Sequence, residues 1–506
     1  MDRRKFLRWL GSGAVALGAA ECARVPWAYA ADSARLASAG AQGRPNVLFI
    51  AVDDLRPELG CYGNAVIQSP NIDRLAARGL VFRHAYCQQA VCSPSRSSLL
   101  TGTRPDTTQV WDLETHFRTA LPDVVTLPQL FKNEGYFVQG MGKIYHGGLD
   151  DPASWSTPWT APGVKTPADA RALEPDEMER RARQARAKRR KGDRGVPFQA
   201  VDGPDNSLND GVLADMAVAA LQGLCEKEQP FFLAVGFVKP HLPFISPKKY
   251  WDLYDPEKIP PAPNPFLPKG APPYALAERN ELWSYDGVPD TSLLPDDYAR
   301  QLKHGYYAAV SFMDAQVGRV LDELERLGLQ DDTIVVLWGD HGWKLGEHGC
   351  WCKHSNVEND TNAPVILSVP GMAHAGSSTD ALVEFVDIYP TLADLAGLPK
   401  PAHLEGASAA PLLAEPDREW KRAAFSQYPR THEKKRLMGY SMRTRRYRFT
   451  RWVDRDDSAR VEAVELYDHE TDPQENVNIA GDPKNAALVE ELTRQLVAGW
   501  RGALPS

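Results

Sequence analysis

The chain has 506 residues, 43% of them hydrophobic and 25% charged, enough to bury a large core and too apolar for wholesale disorder. A formal net charge of −8 argues against a nucleic-acid partner. Seven cysteines without framework spacing do not make a disulfide-stapled protein, and no apolar stretch beyond the N-terminus is long enough to cross a bilayer.

The first element is "MDRRKFLRWLGSGAVALGAAECARVPWAYA". Arg3 and Arg4 precede Phe6 and Leu7, then a modest apolar run and Ala28-Tyr29-Ala30. This pattern resembles a twin-arginine export signal cleaved after Ala30, and implies a periplasmic or extracellular protein. Cleavage removes five basic and two acidic residues, which takes the net charge from −8 to −11.

"NVLFIAVDDL" (46–55) is a continuous apolar run ending in two carboxylates, as expected of a strand buried on both faces. A helix is expected in "SPNIDRLAARGLVF" (69–82), and another from Cys92, where "CSPSRSSLLTG" has proline near the first helical position. A helix N-terminus offers unpaired N–H groups and a positive dipole end, a seat for an anion beside Cys92. "TLPQLFKNEG" (126–135) reads as a helix, and "YFVQGMGKIYHGG" (136–148) as a strand ending in Lys143 and His146.

Residues 150–205 interrupt the rhythm. The run "RRARQARAKRRKGDR" (180–194) holds nine basic residues and one acid, and reads as a solvated helix or mobile insertion, or as a clamp for an acidic polymer. "PFFLAVGFVKPHLPF" (230–244) ends in His241, "YAAVSFMDAQVGRVLDELERLG" (307–328) is helical, and "TIVVLWGDHG" (333–342) is a second strand ending in an acid, Asp340, followed by His341. Strands alternating with helices define a doubly wound α/β domain, whose ligands collect at the carboxyl ends of the strands. "MGYSMRTRRYRFTRWV" and "VELYDHETDPQENVNIA" suggest a smaller sheet, followed by a helix from about Lys484. The expected division is a catalytic domain over 44–435 and a subdomain over 436–506.

The paired acids Asp53 with Asp54, and Asp340 with His341, are mostly oxygen donors and suit a hard divalent cation such as calcium or magnesium better than zinc. Cys92-Ser93-Pro94-Ser95-Arg96 matches the Cys-x-Pro-x-Arg signature of the type I sulfatases, in which that cysteine becomes formylglycine. "FIAVDDLRPELGCYG", "GKIYHGG", "VGFVKPHLPF", "WGDHGWKLGEHGCWCKHSN", "FSQYPR" and "MGYSMRTRRYRFTRWV" extend the resemblance over nearly the whole mature chain, toward the iduronate-2-sulfatase branch of that family.

The resemblance implies an alkaline-phosphatase-like α/β fold: a large central mixed sheet flanked by helices, with a small C-terminal α+β subdomain. It implies Ca2+ held by Asp53, Asp54, Asp340, His341 and the modified Cys92. Arg96 and Lys143 match residues that hold the formylglycine diol, and His146 its basic partner. His241 and Lys353 match groups on the sulfate and leaving oxygen, while Trp343 is expected to line the sugar pocket. The implied partners are a sulfated, uronate-containing saccharide, a formylglycine-generating enzyme and the twin-arginine export machinery. Two other readings follow from the same motifs: a phosphonate or phosphate ester hydrolase of this superfamily, and an inactive sulfated-glycan-binding protein that uses the basic insertion.

Overall fold

The computed structural model describes residues 43–163, 174–188, 194–277 and 281–505. The expected export segment lies outside them, as does the 189–193 part of the basic run.

The strands of the catalytic domain are β1 (Asn46–Val52), β2 (Leu80–Tyr86), β3 (Phe137–Gly142), β4 (Phe198–Val201), β5 (Phe231–Phe237), β6 (Phe244–Pro247), β7 (Thr333–Gly339), β8 (Val365–Ser368) and β9 (Ser377–Glu384). Seven form one mixed sheet in the order β3-β5-β1-β7-β8-β2-β9, and β4 pairs with β6 apart from it. β8 runs antiparallel to both its neighbours, while β3, β5, β1 and β7 are mutually parallel. β1, β2, β3, β5 and β7 therefore all end on one edge.

The main helices are α1 (Pro70–Ala76), α2 (Cys92–Thr101), α3 (Leu127–Asn133), α4 (Pro175–Lys188), α5 (Asn209–Leu224), α6 (Asp296–Arg326), α7 (Ile388–Leu395) and α8 (Ala486–Ala498). α1–α3 and α5–α7 cover both sides of the sheet, and β1 shows why its sequence is apolar from Val47 to Val52. Val47, Phe49 and Ala51 enter one core with Leu99, Phe131 and Tyr389. Leu48, Ile50 and Val52 enter the other, with Leu213, Tyr306 and Val310. A period-2 backbone between two helical layers needs an apolar residue at every position. The architecture is the alkaline-phosphatase-like fold that the resemblance implied.

The subdomain is an antiparallel sheet of β10 (Ala423–His432), β11 (Lys435–Thr444), β12 (Tyr447–Asp454) and β13 (Val461–Asp468), with α8 packed on it through Leu492. It begins at Ala423, ahead of the boundary expected near 435, which would cut the β10–β11 ladder beside its last pair, His432 with Lys435. The hairpin loop is Glu433-Lys434, with φ of 49° and 68°. Two left-handed residues match the twist of paired strands, but no Asn-Gly signal marks this turn in the sequence.

Within the insertion, the 180–188 part of the basic run lies on α4, where Arg180, Arg181 and Arg183 are exposed. Glu177 pairs with Arg180 and Arg181 along the helix, and Glu179 with Arg183. Buried Glu179 also accepts the backbone N–H of His116 at 2.9 Å, which docks the helix on the domain.

Candidate active site

Hydrogen bonding between strand ends brings the chemistry together. Asp340 N donates to Val52 O at 3.0 Å and Asp53 N to Phe237 O at 3.2 Å, so the residues just beyond β1, β5 and β7 lie side by side. Lys143 enters from β3, whose chain passes so close to β5 that a Cβ on Gly236 would meet Lys143 O at 2.1 Å. Asp54 has φ 59°, a left-handed conformation that an Asp tolerates, and its N–H donates to Asp340 Oδ1 at 3.0 Å.

Cys92 is the first residue of α2 and is buried. Its Sγ lies 3.3 Å from Asp53 Oδ1, 3.4 Å from His341 Nε2 and 3.6 Å from Lys143 Nζ. Burial, reinforced by Asp53, pushes the thiol well above its ordinary range, so unmodified Cys92 is a protonated, weak nucleophile. Lys143 also pairs with Asp53 Oδ2. Arg96 commits its donors elsewhere: to Asp340 Oδ2 at 2.8 Å, Asp53 Oδ1 at 3.5 Å and the carbonyls of Lys143 and Ile144. It positions the carboxylates, while Lys143 is the cation that reaches residue 92.

Asp53, Asp54, Asp340 and His341 are all fully buried. One ligand atom each from Asp53, Asp54, Cys92 and His341 lies within 4.8 Å of the others, and His341 Nε2 is 3.5 Å from Asp340 Oδ1. His341 Nδ1 faces Gly342 O at 2.9 Å, which leaves Nε2 to face the carboxylates. Burial would raise Asp53, but Lys143, His241 and Arg96 hold it well below the usual carboxylate range. Asp54 is pushed up to about 7 by burial, opposed by Lys353 and aided by Asp53. Three buried carboxylates crowded on one imidazole call for a divalent cation, and this oxygen-rich donor set fits one.

The open side is lined by His241, Lys143, Glu281 and Arg194, whose side chains are 18%, 15%, 14% and 25% exposed. Lys353 Nζ donates to Asp54 Oδ1 at 2.9 Å and to Glu281 Oε2 at 3.1 Å. Burial opposes its charge, yet Asp54 and Glu281 raise it well above the ordinary lysine range. His241 Nδ1 lies 2.6 Å from Leu242 O, and its Nε2 is 3.8 Å from Asp54 and 3.7 Å from Glu281. Burial lowers His241 to about 4, with Glu281 opposing and Lys353 adding, so the ring is neutral at pH 7. Burial and then Lys143 lower His146 to about 3, and its buried Nδ1 has no hydrogen-bond partner.

One expectation is corrected. Trp343 is fully buried, edge-on to Phe244 with ring centroids 6.3 Å apart, and cannot line a sugar pocket. It backs Lys353 instead, whose Nζ lies 4.7 Å from its ring centroid. Glu281 and Arg194 were not legible as site residues. Arg194 Nη1 donates to Glu281 Oε1 at 2.8 Å, so the tail of the basic run reaches the catalytic pocket through one carboxylate. Glu281 sits in no strand-end motif, and only the basic run carried a signal. Glu347 accepts both Arg56 Nη groups at 3.2 and 3.0 Å and shapes the loop behind the site.

A buried cysteine at the start of α2, a carboxylate-rich cation seat and two lysines beside them suit the hydrolysis of anionic esters. The chain belongs to the sulfatase family, whose model matches residues 45–398; a second model, described as N-sulphoglucosamine sulphohydrolase, C-terminal, matches 346–500. It is a sulfuric ester hydrolase. Iduronate 2-sulfatases of Mus musculus and Homo sapiens are 35% and 34% identical to it over 521 residues, covering 88% of this chain and 93% of each relative. A sulfatase of Formosa agariphila is 32% identical, covering 89% of this chain and 85% of that one. Among solved structures, one in complex with its substrate D-glucosamine-2-N,6-O-disulfate superposes with a TM-score of 0.72 at 25% identity, covering 91% of this chain and 98% of that one. A phosphonate monoester hydrolase of Agrobacterium radiobacter, at 23% identity and TM-score 0.70 over 90% of this chain and 95% of that one, shares the fold.

Proposed function

We propose that this sulfatase hydrolyses O-sulfate esters of uronate-containing saccharides through formylglycine made from Cys92, with Ca2+ as its cation. The observation that carries the reading is the seat of Cys92 between Asp53, His341 and Lys143 at the start of α2. The 34–35% identity to iduronate 2-sulfatases over 88% of the chain supports the substrate class.

A hydrated formylglycine supplies two hydroxyls on one carbon, one to attack sulfur and one whose collapse expels sulfate, and a divalent cation supplies charge neutralisation. Asp53, Asp54, Asp340 and His341 would hold that cation. Lys143 faces residue 92 and stabilises negative charge developing there. Lys353, kept charged by Asp54 and Glu281, faces the leaving side and can donate a proton to the departing sugar oxygen. His241 begins neutral with Nε2 toward the pocket; the arriving ester anion favours uptake of a proton from solvent there, after which Nε2 can donate to a sulfate oxygen. Arg96 keeps Asp53 and Asp340 in place beneath them. Released sulfate from a panel of defined saccharides tests the reading. Cleavage concentrated on 2-O-sulfated uronate residues is expected; preference for sulfated hexosamines, or for aryl phosphonate over aryl sulfate, overturns it.

Asp340→Ala is expected to lower bound calcium below one equivalent per chain and turnover by at least about a hundredfold, since it also strips Arg96 and Asp54 N of their acceptor. Metal analysis of the purified variant checks this, and unchanged calcium removes Asp340 from the ligand set. The export reading is also ours. Arg3→Lys with Arg4→Lys is expected to leave active enzyme in the cytoplasm, measured as activity in separated cellular fractions; normal export refutes the twin-arginine route.

A further inference from the structure

Between Gln88, just before α2, and Arg104, just after it, the catalytic domain, the subdomain sheet and the C-terminal segment enclose a cleft of about 720 Å³. None of the active-site residues lines it. The volume lies in the range of small-molecule sites.

Two of its lining residues carry buried polar atoms without partners. Gln88 is 1% exposed, and its Oε1 accepts no hydrogen bond; Arg104 is 8% exposed, and its Nε has no acceptor although both its Nη groups bind Glu384. Buried groups left unpaired are destabilising, so a partner is favoured. One needs a donor and the other an acceptor. A hydroxyl is both, so a ligand rich in hydroxyls answers the pair.

The other walls extend this chemistry. Phe425 adds an apolar surface, and Trp500 carries Arg104 and Arg501 over its ring, 5.1 and 4.2 Å from the centroid. Arg451 and Arg501 also line the cleft, and neither has a carboxylate partner among the described residues. The acids there are already engaged: Asp106 accepts Gln427 and Tyr440, and Glu405 accepts Arg104 N and Thr107. The cleft thus sets two arginines without carboxylate partners beside two carboxylates held by uncharged donors.

We propose that this cleft is a second, non-catalytic binding site for an acidic saccharide, with a ring hydroxyl between Gln88 and Arg104 and a carboxylate or sulfate on Arg451 and Arg501. It goes beyond the hydrolytic reading and does not depend on which ester is cleaved. Calorimetric titration of the full-length Cys92→Ala protein with a 2-O-sulfated uronate–hexosamine disaccharide tests it, because turnover cannot then consume the probe. Adding Arg451→Gln and Arg501→Gln is expected to remove one bound equivalent, or to weaken it at least tenfold. In enzyme that retains Cys92, the same pair should change turnover of a small aryl sulfate by less than twofold. Unchanged stoichiometry and affinities in the double variant overturn the proposal. A parallel loss of aryl sulfate turnover and thermal stability also overturns it, by giving the arginines a purely structural role.

Discussion

Cys92→Ala is expected to reduce sulfate release by at least about a thousandfold while the protein stays folded. The side chain is buried but small, and its neighbours are polar groups held by one another: Asp53 by Lys143 and Arg96, Asp340 by Arg96. Losing one sulfur atom from such a site costs roughly 1 kcal/mol of packing, well within the margin of a large domain. The chemistry has no substitute. The thiol itself is pushed up by burial and Asp53, so the residue is poorly suited to act as a thiolate. Cys92→Ser separates the proposed chemistry from generic nucleophilic catalysis. A single hydroxyl can displace the sugar oxygen and take the sulfuryl group, but lacks the second hydroxyl that would expel sulfate. It should therefore trap one sulfuryl group per chain, read as a mass increase on the peptide containing residue 92. Sustained turnover by either variant above about a thousandth of wild type refutes Cys92 as the nucleophile precursor.

Arg448→Met is expected to cost about 3–5 kcal/mol of stability, the range for removing one partner of a buried ion pair. Arg448 lies on β12, fully enclosed, and donates from Nε to Glu475 Oε1 at 2.6 Å and from Nη2 to Thr361 Oγ1 at 3.1 Å. It also pairs with Glu358, which Arg443 shares at 3.1 Å. Glu358 and Thr361 belong to the catalytic domain, and Glu475 follows β13, so this knot fastens the subdomain to the loop beside the active site. Glu358, His469 and Glu475 have the spacing of a metal site, but the two arginines already neutralise the carboxylates.

The pH dependence of that variant is a sharper check. Burial opposes ionisation of Glu475 and Glu358, but the arginines win: Glu475 is lowered to about 2 and Glu358 is lowered as well. Folded values below the unfolded ones mean that the knot stabilises fully above the ordinary glutamate range, and loses its contribution as pH falls from about 4.5 toward 2. The stability gap between wild type and Arg448→Met, measured by denaturant titration, should therefore be widest near neutrality and narrow below about pH 4.5. A gap that widens on acidification sinks the assignment.

Much of this was legible in the chain itself. The unbroken apolar runs 46–52 and 333–339 can only be satisfied between two helical layers, and a parallel arrangement then puts Asp53 and Asp340 on one edge. Cys-x-Pro-x-Arg marked residue 92 and the start of α2, because both depend on local residue types. What the sequence could not determine depends on which side chains face each other across long separations. Trp343 sits two residues from His341, yet the turn beyond β7 sends it into the core beneath Lys353. Arg96 belongs to the motif but turns toward Asp340 and Asp53, leaving Lys143 to meet residue 92. Glu281 has no local signature at all; only the fold brings it between Lys353 and Arg194. The β10–β11 hairpin likewise escaped, since its turn residues, Glu433 and Lys434, are held left-handed by the strands they join rather than by their own preference. Periodicity and short-range motifs settle what each segment is. The facing of charged side chains is settled only when burial forces every one of them to find a partner.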